Sequence, residues 1–306
     1  MPFGTTTTVE VIEAVDGDTV KVDLQGEREN LRILALDTEE SSGGGGKPVT
    51  PWGKQAKEEA KSFFPEGESI TVEFPGDEEL DDCLKRYRDN YGRPLVYVHK
   101  NDTDFQEHMI RAGYSPYFTK YGYAHFEEYH RRYRDAEREA QAEHIGVWNQ
   151  LAVNGAVMRD YSSMCAWWEL RAEVIQGFRR ASHPSLFDSR LDYEKITSRI
   201  GEEVVVFTEL NDYWRAGAEH VVVGIGSQAQ PFQLFLPNVR TTEAGQRLLS
   251  LLDTRYVAED DGVTVTKPHR SYAYVQGELK LYEEKPEIVV TAIDQITDEP
   301  PSARSE

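Results

Sequence analysis

The sequence predicts an α+β fold, mainly β: a first β-rich block with helices packed on it, a helical connector, and a second β-rich block of OB type. Three observations carry this. Segments that alternate apolar and polar residues, the period of a half-buried strand, fill residues 8–37, 68–74 and 94–100 and return over 201–296. Stretches with the 3.6-residue spacing of helices lie at 52–64, 103–113, 126–145 and 157–180. In the second block one helical stretch falls between the third and fourth of about five strands, the order of an OB-type barrel. A chain of 306 residues suits about two domains. They are placed at 1–150 and 201–299, with a helical connector over 151–200 and a disordered tail at 300–306.

TVEVIEAVDGDTVKVDL (8–24) alternates on both sides of Asp16-Gly17 and predicts a hairpin, with the type I′ turn that Asp-Gly favours. NLRILALD (30–37) predicts the next strand, with Arg32, Leu34 and Leu36 on one face. SSGGGGKPVTP is a glycine-rich loop. WGKQAKEEAKSFF (52–64) predicts a helix with Ala56, Ala60, Phe63 and Phe64 on one side. ESITVEF and PLVYVHK are strands, and the acidic PGDEELDDCLKRYRDNYGR between them reads as irregular. Two helices follow, the second highly charged, and then an amphipathic one with Tyr161, Met164, Trp168 and Ile175 near one face. The second β-rich block runs EEVVVFTEL, HVVVGIG, FQLFLP, the helix TEAGQRLLSLLD, and then SYAYVQGELKLY and PEIVVTAIDQI joined by the turn EEKP.

Acidic residues number 54 against 34 basic ones, a net charge of −20. Residues 1–150 hold 30 acids and 18 bases and the remainder 24 and 16, so the charge is spread over both halves. Such a surface repels polyanions at low salt. It also matches a protein from a high-salt cytoplasm, where a Debye length of ~3 Å at 1 M leaves only contact-range charges effective. Two cysteines exclude a disulfide framework and a thiolate metal site. No apolar run approaches the ~20 residues of a membrane span. The first residues lack the basic and apolar regions of a secretory signal, so a cytoplasmic location and no membrane partner are expected, with secretion by an upstream signal as the alternative.

Three segments can carry chemistry. Asp16-Gly17-Asp18-Thr19 places a carboxylate at a hairpin tip. Arg32-Ile-Leu-Ala-Leu-Asp37-Thr38-Glu39-Glu40 puts a guanidinium among apolar neighbours, where it needs a partner, and gathers oxygens at a strand end. Arg88-Asp-Asn-Tyr91-Gly-Arg93 opens a strand with a tyrosine able to stack on a base and an arginine able to grip a phosphate. Taken singly, each also reads as an ordinary turn or charged loop. Together, Asp18, Asp37 and a Thr38 carbonyl are hard oxygen donors suited to Ca²⁺. Glu40 can hold a water for attack on phosphorus, and two arginines can neutralise phosphoryl charge. That set meets the needs of metal-assisted phosphodiester hydrolysis.

Six stretches, AVDGDTVKV (14–22), LRILALDTEE (31–40), PWGKQAKEEAKSF (51–63), RDNYGRPLVYV (88–98), MIRAGYSPYF (109–118) and YRDAEREAQAEHIGVW (133–148), resemble in order and spacing the thermonucleases, or staphylococcal-nuclease-like domains, over residues 8–149. The resemblance implies an OB-fold barrel with packed helices, Ca²⁺-dependent cleavage of DNA and RNA, and 3′-phosphate products. It implies Asp18 and Asp37 as metal-binding aspartates, with Thr38 donating its backbone carbonyl. Glu40 matches the glutamate proposed to activate water, and Arg32 and Arg93 the phosphate-binding, transition-state arginines. Tyr91 and Tyr121 match nucleotide-contacting tyrosines. Glu39 departs from the family by standing where it has proline, and four glycines follow at 43–46.

The ending GELKLYEEKPEIVVTAIDQI resembles the last hairpin of nucleic-acid-binding OB domains. Tyr272, Tyr274, Phe232 and Phe235 serve there either as base-stacking platforms or as barrel filling. Trp167 and Trp168 read as packing residues, and His108, His125 and His269 lack ligand spacing. The expected protein is a two-domain nuclease acting on DNA, RNA or both, single-stranded by expectation. The alternatives are a non-catalytic nucleic-acid- or protein-binding scaffold on a nuclease-like fold and an acid-surfaced protein-binding module.

Overall fold

A computed structural model describes residues 2–43, 49–119, 126–149, 159–181, 183–260 and 262–300. Tyr121, His125, part of the glycine run, residues 151–158 of the expected connector and all but the start of the expected tail lie outside these residues. The chain divides into two compact units, Met1–Asp89 with Arg93–Glu169 and Asp260–Val265, and Asn90–Gly92 with Leu170–Glu259 and Thr266–Glu306.

The first unit is a closed barrel. Strands β1 (Thr6–Asp16), β2 (Thr19–Leu24) and β3 (Glu27–Ile33) form an antiparallel meander. After helix α1 (Pro51–Phe63), β4 (Ser69–Glu73) pairs with β1, and beyond α2 (Leu80–Arg86), β5 (Leu95–Lys100) pairs with β4. A parallel pairing of β5 with β3, Arg32 opposite Leu95, closes the ring. The short β6 (Thr103–Asp104) extends β5 and leads into α3 (Phe105–Arg111) and α4 (Glu127–Ala142). Alternation in β2 and β3 sends Val20, Val22, Leu31 and Ile33 into the barrel, where they are buried with Ile70, Val72 and Leu95. The charged α4 docks by one stripe, Tyr129, Tyr133, Ala136 and Ala140, spaced at about one helical turn. Tyr129 donates to Glu73 at 2.7 Å and Tyr133 to Asp104 at 2.9 Å, so the phenols meet buried acceptors.

Three local expectations change. The acidic stretch before β5 contains α2, with Asp81 and Asp82 in its first turn and Lys85 and Arg86 in its last, the charge order that suits a helix dipole. The hairpin turn is Gly17-Asp18, and neither residue has the positive φ of a type I′ turn. Gly17 is needed instead for close approach: a Cβ there would lie 2.7 Å from Thr38 Cγ2 and 2.9 Å from Ala56 Cβ. The strand expected to run to Asp37 ends at Ile33, because Ala35 adopts a left-handed φ of 65° and turns the chain.

Helix α5 (Tyr161–Arg180) begins in the first unit and ends in the second, with Tyr161, Met164, Trp167, Trp168 and Ile175 buried. The second unit follows with β7 (Leu186–Asp188), α6 (Tyr193–Thr197), β8 (Glu203–Glu209), β9 (Trp214–Ala216), β10 (His220–Gly224), β11 (Gln233–Leu236) and α7 (Glu243–Leu251). A small hairpin, β12 (Glu259–Asp260) and β13 (Val265–Lys267), precedes β14 (Tyr272–Tyr282), β15 (Lys285–Val289) and β16 (Ile296–Thr297). The pairings repeat the order of the first unit. β10 runs antiparallel to β11, β11 parallel to β15, β15 antiparallel to β14, and β14 antiparallel to β8, with α7 between the third and fourth of these strands. This is the OB strand order, although β8 and β10 share no ladder among the described residues. Its core gathers Val204, Val206, Val221, Leu234, Leu248 and Ile288. Phe232 is buried in this core, whereas Tyr272 and Tyr274 are buried against Phe207 on the other face of β14 from the core residues Ala273 and Val275, so these three rings are packing and not platforms; Phe235 is half-buried against His220.

Candidate active site

Asp18, Arg32, Asp37 and Arg93 converge in the first unit at one end of the β1–β2–β3 meander, whereas Tyr91 falls in the second unit. Arg32 sits at the end of β3 and is 5% exposed. The turn at Ala35 bends the following backbone round its side chain. Nη1 donates to the carbonyls of Asp18 (3.2 Å) and Ile33 (2.9 Å), and Nη2 to that of Leu36 (2.7 Å). The same guanidinium lies 3.2 Å from Asp18 Oδ2 and 3.9 Å from Asp37 Oδ1. A buried arginine thus draws together two carboxylates that are 19 residues apart in sequence (37 − 18). Asp37 is fixed through its backbone, whose N–H donates to Ser115 Oγ at 2.9 Å, and Leu36 bridges to Tyr117.

Arg93 reaches the same end from the start of β5. Asp89, fully buried, accepts from the Arg93 backbone N–H (2.8 Å) and from its Nε (2.7 Å), which aims the guanidinium. Nη1 then donates to Thr19 Oγ1 at 3.3 Å, and Thr19 donates to Asp18 Oδ1 at 3.0 Å. Arg93 is more accessible than Arg32, with 29% of its side chain exposed. Tyr91 is 72% exposed. Thr38 is buried, and Glu40 is half-buried with its carbonyl accepting from the Thr50 N–H at 3.3 Å.

Thr50 caps α1, accepting from the Gly53 N–H at 3.2 Å, and Pro51 occupies the first helical position. Gly53 is required: a Cβ there would sit 2.2 Å from the Glu40 carbonyl oxygen and 2.6 Å from that of Glu39. Glu39 has no exposed surface. Its carboxylate accepts from the Thr50 hydroxyl and, at 2.9 Å, from the Tyr161 hydroxyl. Burial and Glu39 together outweigh the opposing pull of Arg159 and keep the Tyr161 phenol protonated well above its usual range.

Sequence reasoning missed Asp89, Ser115 and Arg159. The i, i+4 spacing of Asp89 and Arg93 was a usable local signal. Arg159, whose Nη1 lies 2.8 Å from Asp37 Oδ2, is 122 residues away and offered none. Burial disfavours its charge, but Asp37 and then Tyr161 more than offset that and raise its pKa above the ordinary guanidinium value.

The donors suit a hard cation. Among the described residues no group of three or more His, Cys, Asp and Glu side chains is arranged as a metal cluster. The available set is two carboxylates held close by Arg32, with Thr38, next in the chain after Asp37, as the third expected donor. Oxygen-only donors of this kind fit Ca²⁺, with water or substrate oxygens filling the remaining positions.

A sequence model described as staphylococcal nuclease homologue matches residues 30–150. A thermonuclease of Staphylococcus hyicus is 30% identical over 143 residues, which cover 46% of this chain and 76% of that protein. The SPbeta prophage-derived endonuclease YokF of Bacillus subtilis (strain 168) is 32% identical over 141 residues, 45% of this chain and 42% of that protein. Endonuclease YncB of the same strain is 31% identical over 141 residues, 45% and 59%. The chain thus spans about half the length of each Bacillus endonuclease. The family match takes in Arg32, Asp37 and Arg93 of the closed barrel, and the chain belongs to the family of staphylococcal nuclease homologues.

Proposed function

We propose that the protein is a nuclease that hydrolyses phosphodiester bonds of DNA, RNA or both, with Ca²⁺ as its cation and 3′-phosphate products. The observation that carries this reading is the gathering of Asp18, Asp37, Arg32 and Arg93 at one end of a barrel whose relatives are named thermonuclease and endonuclease. A cation held by Asp18, Asp37 and the Thr38 carbonyl would lower the charge on the scissile phosphate.

The chain's own groups do the rest. Asp89 aims Arg93, whose accessible guanidinium donates to a phosphoryl oxygen as charge builds there. Arg32 keeps the two aspartates together and places a second positive charge beside them. Glu40 orients the attacking water and accepts its proton as the new P–O bond forms and the P–O5′ bond breaks, and the departing 5′ oxygen takes a proton from solvent. Tyr91 offers an exposed ring for a base to stack on, with single-stranded substrate the expected form.

Digestion of single- and double-stranded DNA and RNA by the wild type beside Glu40→Gln, with Ca²⁺ and with chelator, at low and multimolar salt, tests the proposal. Cleavage is expected in the wild type with Ca²⁺, with a strong loss in the variant and under chelation. A wild type that cleaves nothing under any of these conditions leaves the scaffold reading, in which the fold only binds.

A further inference from the structure

Arg159 follows a buried path to the site. Only 8% exposed, it donates from Nε to the Gly262 carbonyl at 2.9 Å and from Nη1 to Asp37 Oδ2 at 2.8 Å. Its guanidinium lies 5.4 Å from the centre of the Tyr161 ring, whose hydroxyl is tied to Glu39. Asp160, next in the chain, donates its backbone N–H to the Val263 carbonyl at 2.6 Å. The arginine is therefore anchored by its backbone neighbour, its stem and its head, and the residue it meets is a proposed cation ligand. It also lies beyond residue 150, where the family match ends.

We infer that Arg159 is a positioning residue that competes with the divalent cation for Asp37 and so sets how tightly the protein holds that cation. The inference rests on the reading of Asp37 as a cation ligand. Of the four side chains joined here, Asp18 and Asp37 carry two negative charges and Arg32 and Arg159 two positive ones. Asp37 presents one oxygen to each guanidinium. A divalent ion entering this set meets no net negative charge and must share Asp37 with a buried cation. Without Arg159 the set carries one net negative charge, and the guanidinium that holds Oδ2 against the ion is gone. In an interior screened far less than water, that difference is large. Coupling of this kind is reciprocal, so the ion must loosen Arg159 as much as Arg159 weakens the ion.

The sign of the effect separates this role from a structural one, because damage to the site weakens binding whereas loss of a competitor strengthens it. Calorimetric titration of Ca²⁺ into the full-length wild type, Arg159→Gln, Arg159→Lys and Asp37→Asn tests it. Arg159→Gln is expected to bind Ca²⁺ at least about tenfold more tightly, equivalent to about 1.4 kcal/mol. Arg159→Lys, which keeps the charge, should stay near the wild type, and Asp37→Asn should lose binding. Equal or weaker binding by Arg159→Gln overturns the inference. If Asp37→Asn still abolishes wild-type binding in that case, Asp37 remains a cation ligand. If no protein binds millimolar Ca²⁺, both readings fail. Hydrogen exchange in the wild type supplies a test free of any folding defect in the variants. Ca²⁺ should speed exchange of the Asp160 amide region, and slowed or unchanged exchange there counts against competition.

Discussion

A carboxyl group with no exposed surface is costly unless its oxygens are hydrogen-bonded, and Glu39 meets that demand with the hydroxyls of Thr50 and Tyr161. Glu39→Ala leaves Thr50 and Tyr161 without this acceptor. It is expected to lower unfolding stability by about 1–3 kcal/mol, as read by urea denaturation. Unchanged stability would show that the two hydroxyls find equivalent partners elsewhere. Arg32 answers the same demand in reverse, a buried cation surrounded by carbonyls and carboxylates. Arg32→Ala removes the group that keeps Asp18 and Asp37 together. Turnover in the nuclease assay should fall on the order of 10²-fold or more, the scale of losing an oriented charge at a reacting phosphate. A variant with wild-type turnover would place the chemistry elsewhere.

The site depends on how elements meet. The N-terminus of α1 presses Gly53 against the backbone of Glu39 and Glu40, leaving no room for a methyl group. Gly53→Ala should therefore destabilise by about 1–3 kcal/mol through overpacking and lower activity by shifting Glu40. Thermal unfolding and turnover measured together check both parts. On α4, Glu137 accepts the Tyr117 N–H at 2.8 Å and so supports the strand-like segment that bridges to Leu36. Burial pushes its carboxyl up to about 7. Because the folded-state pKa lies above the unfolded one, the folded protein holds the extra proton. The associated stability is complete below about pH 4.5 and is lost as pH rises through about 7, on the order of 3 kcal/mol over that window. Glu137→Gln should thus raise the melting temperature relative to wild type more at pH 8 than at pH 5. Equal shifts at the two values would argue against burial as the cause.

At the scale of the whole molecule, a net charge of −20 divided between both halves puts repulsion throughout the folded chain. Adding salt from about 0.01 M to 1 M shortens the Debye length from about 30 Å to about 3 Å and should raise the melting temperature. A melting temperature that stays flat or falls over that range would show that attractive surface ion pairs dominate.

The barrel was legible in the sequence because alternation and turn residues are local properties, and the strands around Val20, Leu31, Ile70 and Val96 followed from them. Asp18, Asp37, Arg32 and Arg93 were legible because each sits in a short motif at a strand end. Other features were not. The turn at Ala35 depends on the carbonyls that Arg32 collects, and no β-period reveals it. Arg159 reaches Asp37 from 122 residues away, and Glu39, in a proline position, takes its meaning from Tyr161. The residues themselves determined where most strands and helices lie along the chain and which side chains were candidates for the site, since those depend on near neighbours and burial periodicity. Tertiary structure alone decided which charges neutralise one another, because a buried ion pair is set by separation in space and by the water excluded around it, neither of which is encoded in position along the chain.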